Sequence, residues 1–174
     1  MIFNYVLGLK EVNKDEVNVK YREAVRAIIF QNNNILMVHS NKGDYKFPGG
    51  GVDKEESHKE TLKREVREET GYIINKVKDK IGVIIERKSD EHEKHIVFEM
   101  TSYYYICEVS DNQSIQELDD YEEKLEFCPI WIELNKVINI NEEILKNDSK
   151  DNNPWLYRET TVLNALKDYY KITK

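Results

Sequence analysis

Three glutamates on one predicted helical turn, Glu65, Glu68 and Glu69, are the residues of this 174-residue chain best placed to do chemistry. Side chains three and four positions apart share a helix face, so the spacing predicts that these carboxylates converge within a few ångströms. Like charges repel at that range, and three glycines, Gly49, Gly50 and Gly51, stand just ahead of them. Such a set suits a hard divalent cation held beside a phosphate, because these cations take oxygen ligands and bridge to phosphate oxygens. The alternative is a solvated helix laced with ion pairs, which demands alternating sign at i and i+4. Glu60, Arg64 and Glu68 meet that demand. Glu65 opposite Glu69 does not, and Lys59, Lys63 and Arg67 form an all-basic file.

The elements that must hold these groups are written around them. Ser57 with Glu60 three residues later is a capping-box pattern, and Gly71 after Thr70 suits the left-handed residue that ends many helices. A helix over residues 57–70 follows, with Leu62 and Val66 as its apolar stripe and the carboxylates turned outward. Phe47-Pro48 stiffens the approach, and the glycines let backbone come close to an ion or phosphate.

From Gly50 to Tyr72 the residues read glycine, five residues, Glu56, seven residues, then Arg64-Glu65-Val66-Arg67-Glu68-Glu69-Thr70-Gly71-Tyr72. This resembles the signature of the Nudix hydrolases, departing at Tyr72, where the family has an aliphatic residue, and at Glu55, where glycine is frequent. The resemblance implies a magnesium-dependent hydrolase, with manganese as a substitute, that cleaves a nucleoside diphosphate linked to a further group X. Carried over by position, Glu65 and Glu69 would be ligands of the ion, Glu68 would bind the same or a second ion, and the Gly49 carbonyl would complete the set. Gly49, Gly50 and Gly51 would border the substrate. Arg64 would orient Glu65, itself a candidate to accept a proton from water, while Glu56 would play a supporting part. The family does not keep its general base in one place, and many members add a carboxylate from a distant loop; here Glu122, after Tyr121 and ahead of Trp131, is the choice for that catalytic role, against its being one acid among many in an exposed stretch.

The flanks predict the scaffold. Residues 24–30 and 35–39 are β-rich and joined by Gln31-Asn32-Asn33-Asn34, a hairpin in which asparagine tolerates left-handed turn conformations. Residues 73–76 and 83–87 read as strands, 96–109 as the longest, central one, and 129–134 as one more. Asn153-Pro154 reads as a cap and first-turn proline before a helix over 155–171, amphipathic through Leu156, Leu163, Leu166 and Tyr170. The polar segment 141–153 reads as a loop. Strands around an internal and a terminal helix predict an α+β chain, an α/β/α sandwich with a central mixed sheet, which the resemblance also implies.

A 40% hydrophobic composition without a Pro/Gly/Ser-rich linker predicts one domain over residues 1–174, with residues 1–20 as an N-terminal extension and residues 154–171 as its C-terminal helix. The apolar run 1–9 is short and lacks a basic leader, so neither a signal peptide nor a membrane span fits, and the cytoplasm is the expected location. A net charge of −7 without a basic stripe argues against a nucleic-acid polymer as partner. A small diphosphate-containing molecule is expected instead, bound by a monomer or homodimer. Cys107 and Cys128 lack CxxC spacing and read as reduced, buried thiols. His92 and His95, three apart, lie in an acidic turn where hydrogen-bonded surface histidines are the ordinary reading. Tyr45, Phe47, Trp131 and Trp155 read as packing residues.

Substrate signatures known from the family, a proline or a tyrosine some 15 to 17 residues past the box, are missing, since no proline occurs between Gly71 and Pro129 and Arg87-Lys88-Ser89 fills the tyrosine window. This elimination favours a nucleoside triphosphate, an oxidised one included, or a substrate without a known signature. A module of the same fold that senses a nucleotide or nucleotide sugar without cleaving it is the alternative; it is disfavoured because Glu65, Glu68 and Glu69 are all present. On this reading Glu65→Gln and Glu69→Gln each abolish turnover and leave the fold intact.

Overall fold

The computed structural model describes residues 1–13, 17–90, 93, 95–147 and 149–172. Strands β1 (Phe3–Gly8), β2 (Asn18–Ile28), β6 (Tyr72–Ser89) and β7 (Ile96–Gln113) form a mixed sheet in the order β1-β6-β7-β2, with β6 and β7 antiparallel and the outer two strands parallel to their neighbours. A second sheet joins β3 (Phe30–Gln31), β4 (Asn34–His39), β5 (Tyr45–Lys46) and β8 (Cys128–Glu133), all antiparallel to β4.

Alternation along the strands sorts the two faces, since successive side chains point to opposite sides. Val25, Ala27 and Ile29 turn to one side, where Leu62 and Val66 of α1 (His58–Thr70) complete a buried cluster with Ile74 and Cys107. Ile28, Ile84 and Tyr104 turn to the other, against Val137 and Ile138 of α3 (Leu134–Lys146) and Val162, Leu163 and Leu166 of α4 (Leu156–Ile172). Each fully buried aliphatic side chain contributes about 1.5–3 kcal/mol relative to exposure. Helices thus cover both faces of a mixed sheet, the expected α+β sandwich.

Several expectations are corrected. The hairpin turns at Asn32 and Asn33, both at positive φ (48° and 64°), but it joins only β3 to β4; β2 belongs to the other sheet. The two strands expected after α1 are one, because register shifts between Tyr72 and Gly82 absorb the irregular stretch instead of ending it. The segment expected as a loop from residue 141 begins inside α3. Asn141 there is fully buried, accepting from the Tyr45 N–H (3.0 Å) and donating to the Tyr45 carbonyl (2.9 Å), so a polar letter occupies a core position. Asn153 does not cap α4 with its side chain, whose amide donates to Asp44 (2.7 Å) and Ser40 (3.1 Å). Cys128 is exposed, whereas Cys107 is buried and its thiol pushed up to about 12 by desolvation. The Tyr170 side chain and His92 lie outside the described residues, and His95 is exposed at a positive φ of 77°. Residues 3–8 form an edge strand, with Phe3 stacked edge-on to Tyr104. Among the described residues no helix is long and apolar enough to cross a membrane.

Candidate active site

Helix α1 begins and ends as its sequence dictates. Ser57 accepts from the Glu60 N–H while Glu60 accepts from Ser57, and Gly71 closes the helix at φ 73°. With Leu62 and Val66 facing the sheet, Glu65 and Glu69 point along the edge of β2 toward the glycine run. That run lies as a short ladder on β2: the Val25 N–H donates to the Gly50 carbonyl (3.0 Å), Ala27 to Pro48 (2.9 Å) and Val52 to Glu23 (3.0 Å). At Gly50 there is no room for a Cβ, because the Glu65 carboxylate occupies its place; at Gly49, φ is 137° and a Cβ would overlap the Val25 carbonyl.

One oxygen each from Glu65, Glu69 and Glu122 lie within 4.8 Å of one another. Glu122 arrives from α2 (Asp120–Lys124), a single turn capped by Asp119, whose N–H donates back to Glu122 (3.0 Å). Desolvation raises Glu122 to about 7, aided by the charge of Glu69 and opposed by the Asp119 hydrogen bond and Lys46. Burial, with Glu69 next in weight, also raises Glu65, while Arg64 counters it. Both carboxyls are thus raised first by desolvation and then by a neighbouring carboxylate, a pattern that clusters at functional sites.

Glu68 is not gathered into this trio. Its carboxylate is taken by Arg64 (3.2 Å) and Arg67 (3.4 Å). Arg64 also reaches Glu65 (2.7 Å) and grips Glu56 with Nε (2.8 Å) and Nη2 (2.7 Å), while Glu60 serves the cap rather than Arg64. The Arg64 hydrogen bonds hold Glu56 down at about 2. A carboxylate lowered on folding contributes stability above its ordinary value, about 4.5, and loses it as pH falls toward 2. Glu56→Gln is therefore expected to cost on the order of 1 kcal/mol at neutral pH, the pair being partly solvated. The urea midpoints of variant and wild type should converge as pH drops from 4.5 to 2; a deficit independent of pH would assign Glu56 a packing role.

Two site residues have no counterpart in the helix spacing. Lys46, buried, forms an ion pair with Glu69, lies 4.8 Å from the Phe127 ring centroid, and shares Glu69 with the Gly49 N–H (2.8 Å). Arg26, also buried, donates to the Gly49 carbonyl, the backbone oxygen expected to complete the ligand set, which keeps a second lone pair for an ion. A signal for them was available: Arg22 and Arg26 share parity on β2, and Lys46 immediately precedes Phe47-Pro48.

These groups line one end of a cleft of about 420 Å³, of the size that encloses a small ligand. Its walls include Gly49, Gly50, Gly51, Tyr121 and Trp155, the last lining the cleft rather than only anchoring the core. Trp155 is fixed by its N–H to Asp44 (2.6 Å) and meets Tyr121 edge-on (6.4 Å between centroids). Trp131, outside the cleft, donates to the Tyr72 hydroxyl (2.8 Å), so the aromatic at the last motif position has a partner. His58 is bonded to Tyr105 and Glu23, away from the trio.

Comparison with known proteins places this geometry. The NUDIX domain family model matches residues 20–156. The Nudix hydrolase YvcI of Bacillus subtilis, described as uncharacterized, is 30% identical over 107 residues, 61% of this chain and 61% of that protein. An ADP-ribose pyrophosphatase of Methanocaldococcus jannaschii is 33% identical over 99 residues, 53% of this chain and 58% of that protein. The matched segments thus span less than two thirds of either relative. A NUDIX hydrolase structure from Nitrosomonas europaea shares the fold with a TM-score of 0.56 at 16% identity, covering 87% of this chain and 90% of its own. With the family matched across most of its length and the signature glutamates on the helix beside the glycine loop, this chain belongs to the Nudix family.

Proposed function

We propose that the chain is a magnesium-dependent pyrophosphohydrolase that cleaves the diphosphate linkage of a nucleoside diphosphate joined to a group X, modified nucleoside triphosphates included. The observation that carries this reading is the approach of Glu65, Glu69 and Glu122 to within 4.8 Å of one another in the cleft. Three hard oxygen donors with two raised carboxylates fit a divalent cation. Glu65, Glu69 and Glu122 would hold it, with Glu68 placed to serve a second ion only by leaving Arg64. When bound, magnesium neutralises phosphate charge and makes water a stronger nucleophile.

The chain's own residues do the rest. Lys46 and the Gly49 N–H fix both oxygens of Glu69. Arg64 sets the Glu65 rotamer while offsetting acidic charge. Glu122, beside the ion, is the residue we assign to accept a proton from the attacking water. Gly50 and Gly51 keep the loop low enough for phosphate to lie beside the carboxylates. Glu122→Gln is expected to lower turnover on the order of 10²–10⁴-fold, the span of general base catalysis, without loss of fold. An unchanged rate would return Glu122 to the surface.

The test is a panel of nucleoside triphosphates, nucleotide sugars, dinucleoside polyphosphates and non-nucleoside diphosphates with magnesium in oxygen-18 water, resolved by product. The M. jannaschii relative's name adds ADP-ribose to that panel. Label in one product phosphate would identify the phosphorus attacked. Tight binding of one member with hydrolysis of none would instead establish a sensor. A single domain over residues 1–174, a cytoplasmic location and action as monomer or homodimer complete the proposal; the packing of Phe3 into the core supports the first.

A further inference from the structure

Glu122 comes to the trio on α2, a single turn none of whose residues is buried. Its place is therefore set by the two stems that carry it. On the incoming stem Leu118 packs against the cluster of Val38, Leu125, Phe127 and Trp155, and Leu125 and Phe127 themselves form the outgoing stem. One side chain joins the stems to each other and to α1: the Gln116 amide donates to the Phe127 carbonyl (3.2 Å) and to the Glu69 carbonyl (2.6 Å). The first bond closes the loop 116–127 at its neck, and the second fixes that neck to the last turn of α1. We propose that Gln116 is a positioning residue that sets Glu122 against Glu65 and Glu69. This rests on the reading of the three carboxylates as the site of the ion and of proton acceptance.

A helix end supplies the acceptor. The last carbonyls of a helix have no partner within it, and the segment that follows β7 crosses the end of α1 and provides them. The Ser114 N–H donates to the Gly71 carbonyl (2.7 Å), the Glu117 N–H to the Glu68 carbonyl (2.9 Å), and the Gln116 side chain to Glu69 between them. Glu69 thus offers its carboxylate to the trio and its backbone to the loop that delivers the third carboxylate. With two carbonyls to satisfy, only the NH2 end of the Gln116 amide fits, and both of its hydrogens are used. Other ties act elsewhere or weakly. Asn41 donates to the Leu125 carbonyl from its backbone (2.8 Å) and to the Lys124 carbonyl from its side chain (3.0 Å), which fastens the far end of α2 to the turn between β4 and β5. The Arg67–Glu117 pair (2.7 Å) also reaches α1, but Glu117 is 59% exposed, and such surface pairs contribute little.

The test is a double-mutant cycle with Glu122, read in two ways: kcat with magnesium, and manganese affinity from the electron paramagnetic resonance of the free ion, which needs no turnover. Gln116→Leu keeps the bulk and removes both donors. It is expected to cost about 10–100-fold in kcat and a similar factor in manganese affinity, the loss typical when a group that orients a ligand is removed. In the Glu122→Gln background the same substitution should change either quantity by less than about twofold, because residues that act as a unit lose their effect together. The control Glu117→Gln, one residue along the same segment, should change neither. Gln116→Glu keeps the side-chain shape without the donor and repeats the cycle where Gln116→Leu does not fold. No loss from Gln116→Leu, or an equal loss in both backgrounds, overturns the positioning role. Coupling in manganese affinity with no hydrolysis of any substrate would keep that role and remove the pyrophosphohydrolase reading; hydrolysis without coupling would do the reverse.

Discussion

Glu65→Gln is expected to lower magnesium-dependent hydrolysis on the order of 10²–10³-fold, the loss typical when one preorganised electrostatic contact is removed, while the thermal midpoint holds or rises. Glu65 is raised by burial and by Glu69, so its charge is a burden on the folded chain, and a neutral amide relieves it. Glu69→Gln should lose turnover as fully but behave differently in stability. Its carboxylate is 2% exposed and is the ion-pair partner of Lys46, whose side chain is 7% exposed. Removing it strands a buried ammonium, at about 3–5 kcal/mol. The helix spacing alone predicted intact folds for both; the structure separates them. Adding Lys46→Met to Glu69→Gln should recover much of the stability without restoring activity. Equal midpoints for the two single variants would mean that the Lys46 pair contributes nothing.

The second large effect comes from the glycine loop. Gly50→Ala puts a methyl group where the Glu65 carboxylate sits, and that carboxylate is the far end of a flexible side chain. The side chain should swing away, dispersing the trio with little change in stability and a loss of turnover comparable to Glu65→Gln. Gly49→Ala meets backbone instead, at a φ of 137° that L residues rarely adopt, and collides with the Val25 carbonyl. That loop must detach from β2, so stability falls with activity. Urea midpoints and kcat measured side by side check the contrast. Gly50→Ala with full activity would show that the Glu65 position does not matter.

What the sequence disclosed about this site was what is local. The capping box at Ser57, the left-handed Gly71 and the Leu62–Val66 stripe depend on neighbours within a turn, and α1 appears within a residue of its expected bounds. The helix wheel also placed Glu68 with Glu65 and Glu69, and there it fell short. Spacing brings side chains to one face but does not say which cation takes them, and Arg64 and Arg67 claim Glu68. Glu122 stood out from its acidic neighbours only by resemblance to a family pattern, because its approach to Glu69 spans 53 residues of chain and is set by tertiary packing rather than local spacing. Lys46 and Arg26 stayed hidden for the same reason: a cation in a short strand looks solvated until the helix beside it is known. The same blindness to tertiary partners turned Asn141 into a loop residue, although both polar ends of its amide are satisfied by one backbone residue, Tyr45.

Glu65, Glu69 and Glu122 are the residues we assign to a divalent cation. Manganese titration followed by the electron paramagnetic resonance of the free ion reads that directly, without substrate or turnover. Wild-type protein should remove manganese from solution at a site competed by magnesium. Glu65→Gln should weaken that site at least tenfold, and Lys59→Gln, on the exposed file of the same helix, should leave it unchanged. Manganese bound equally by wild type and Glu65→Gln would contradict the account.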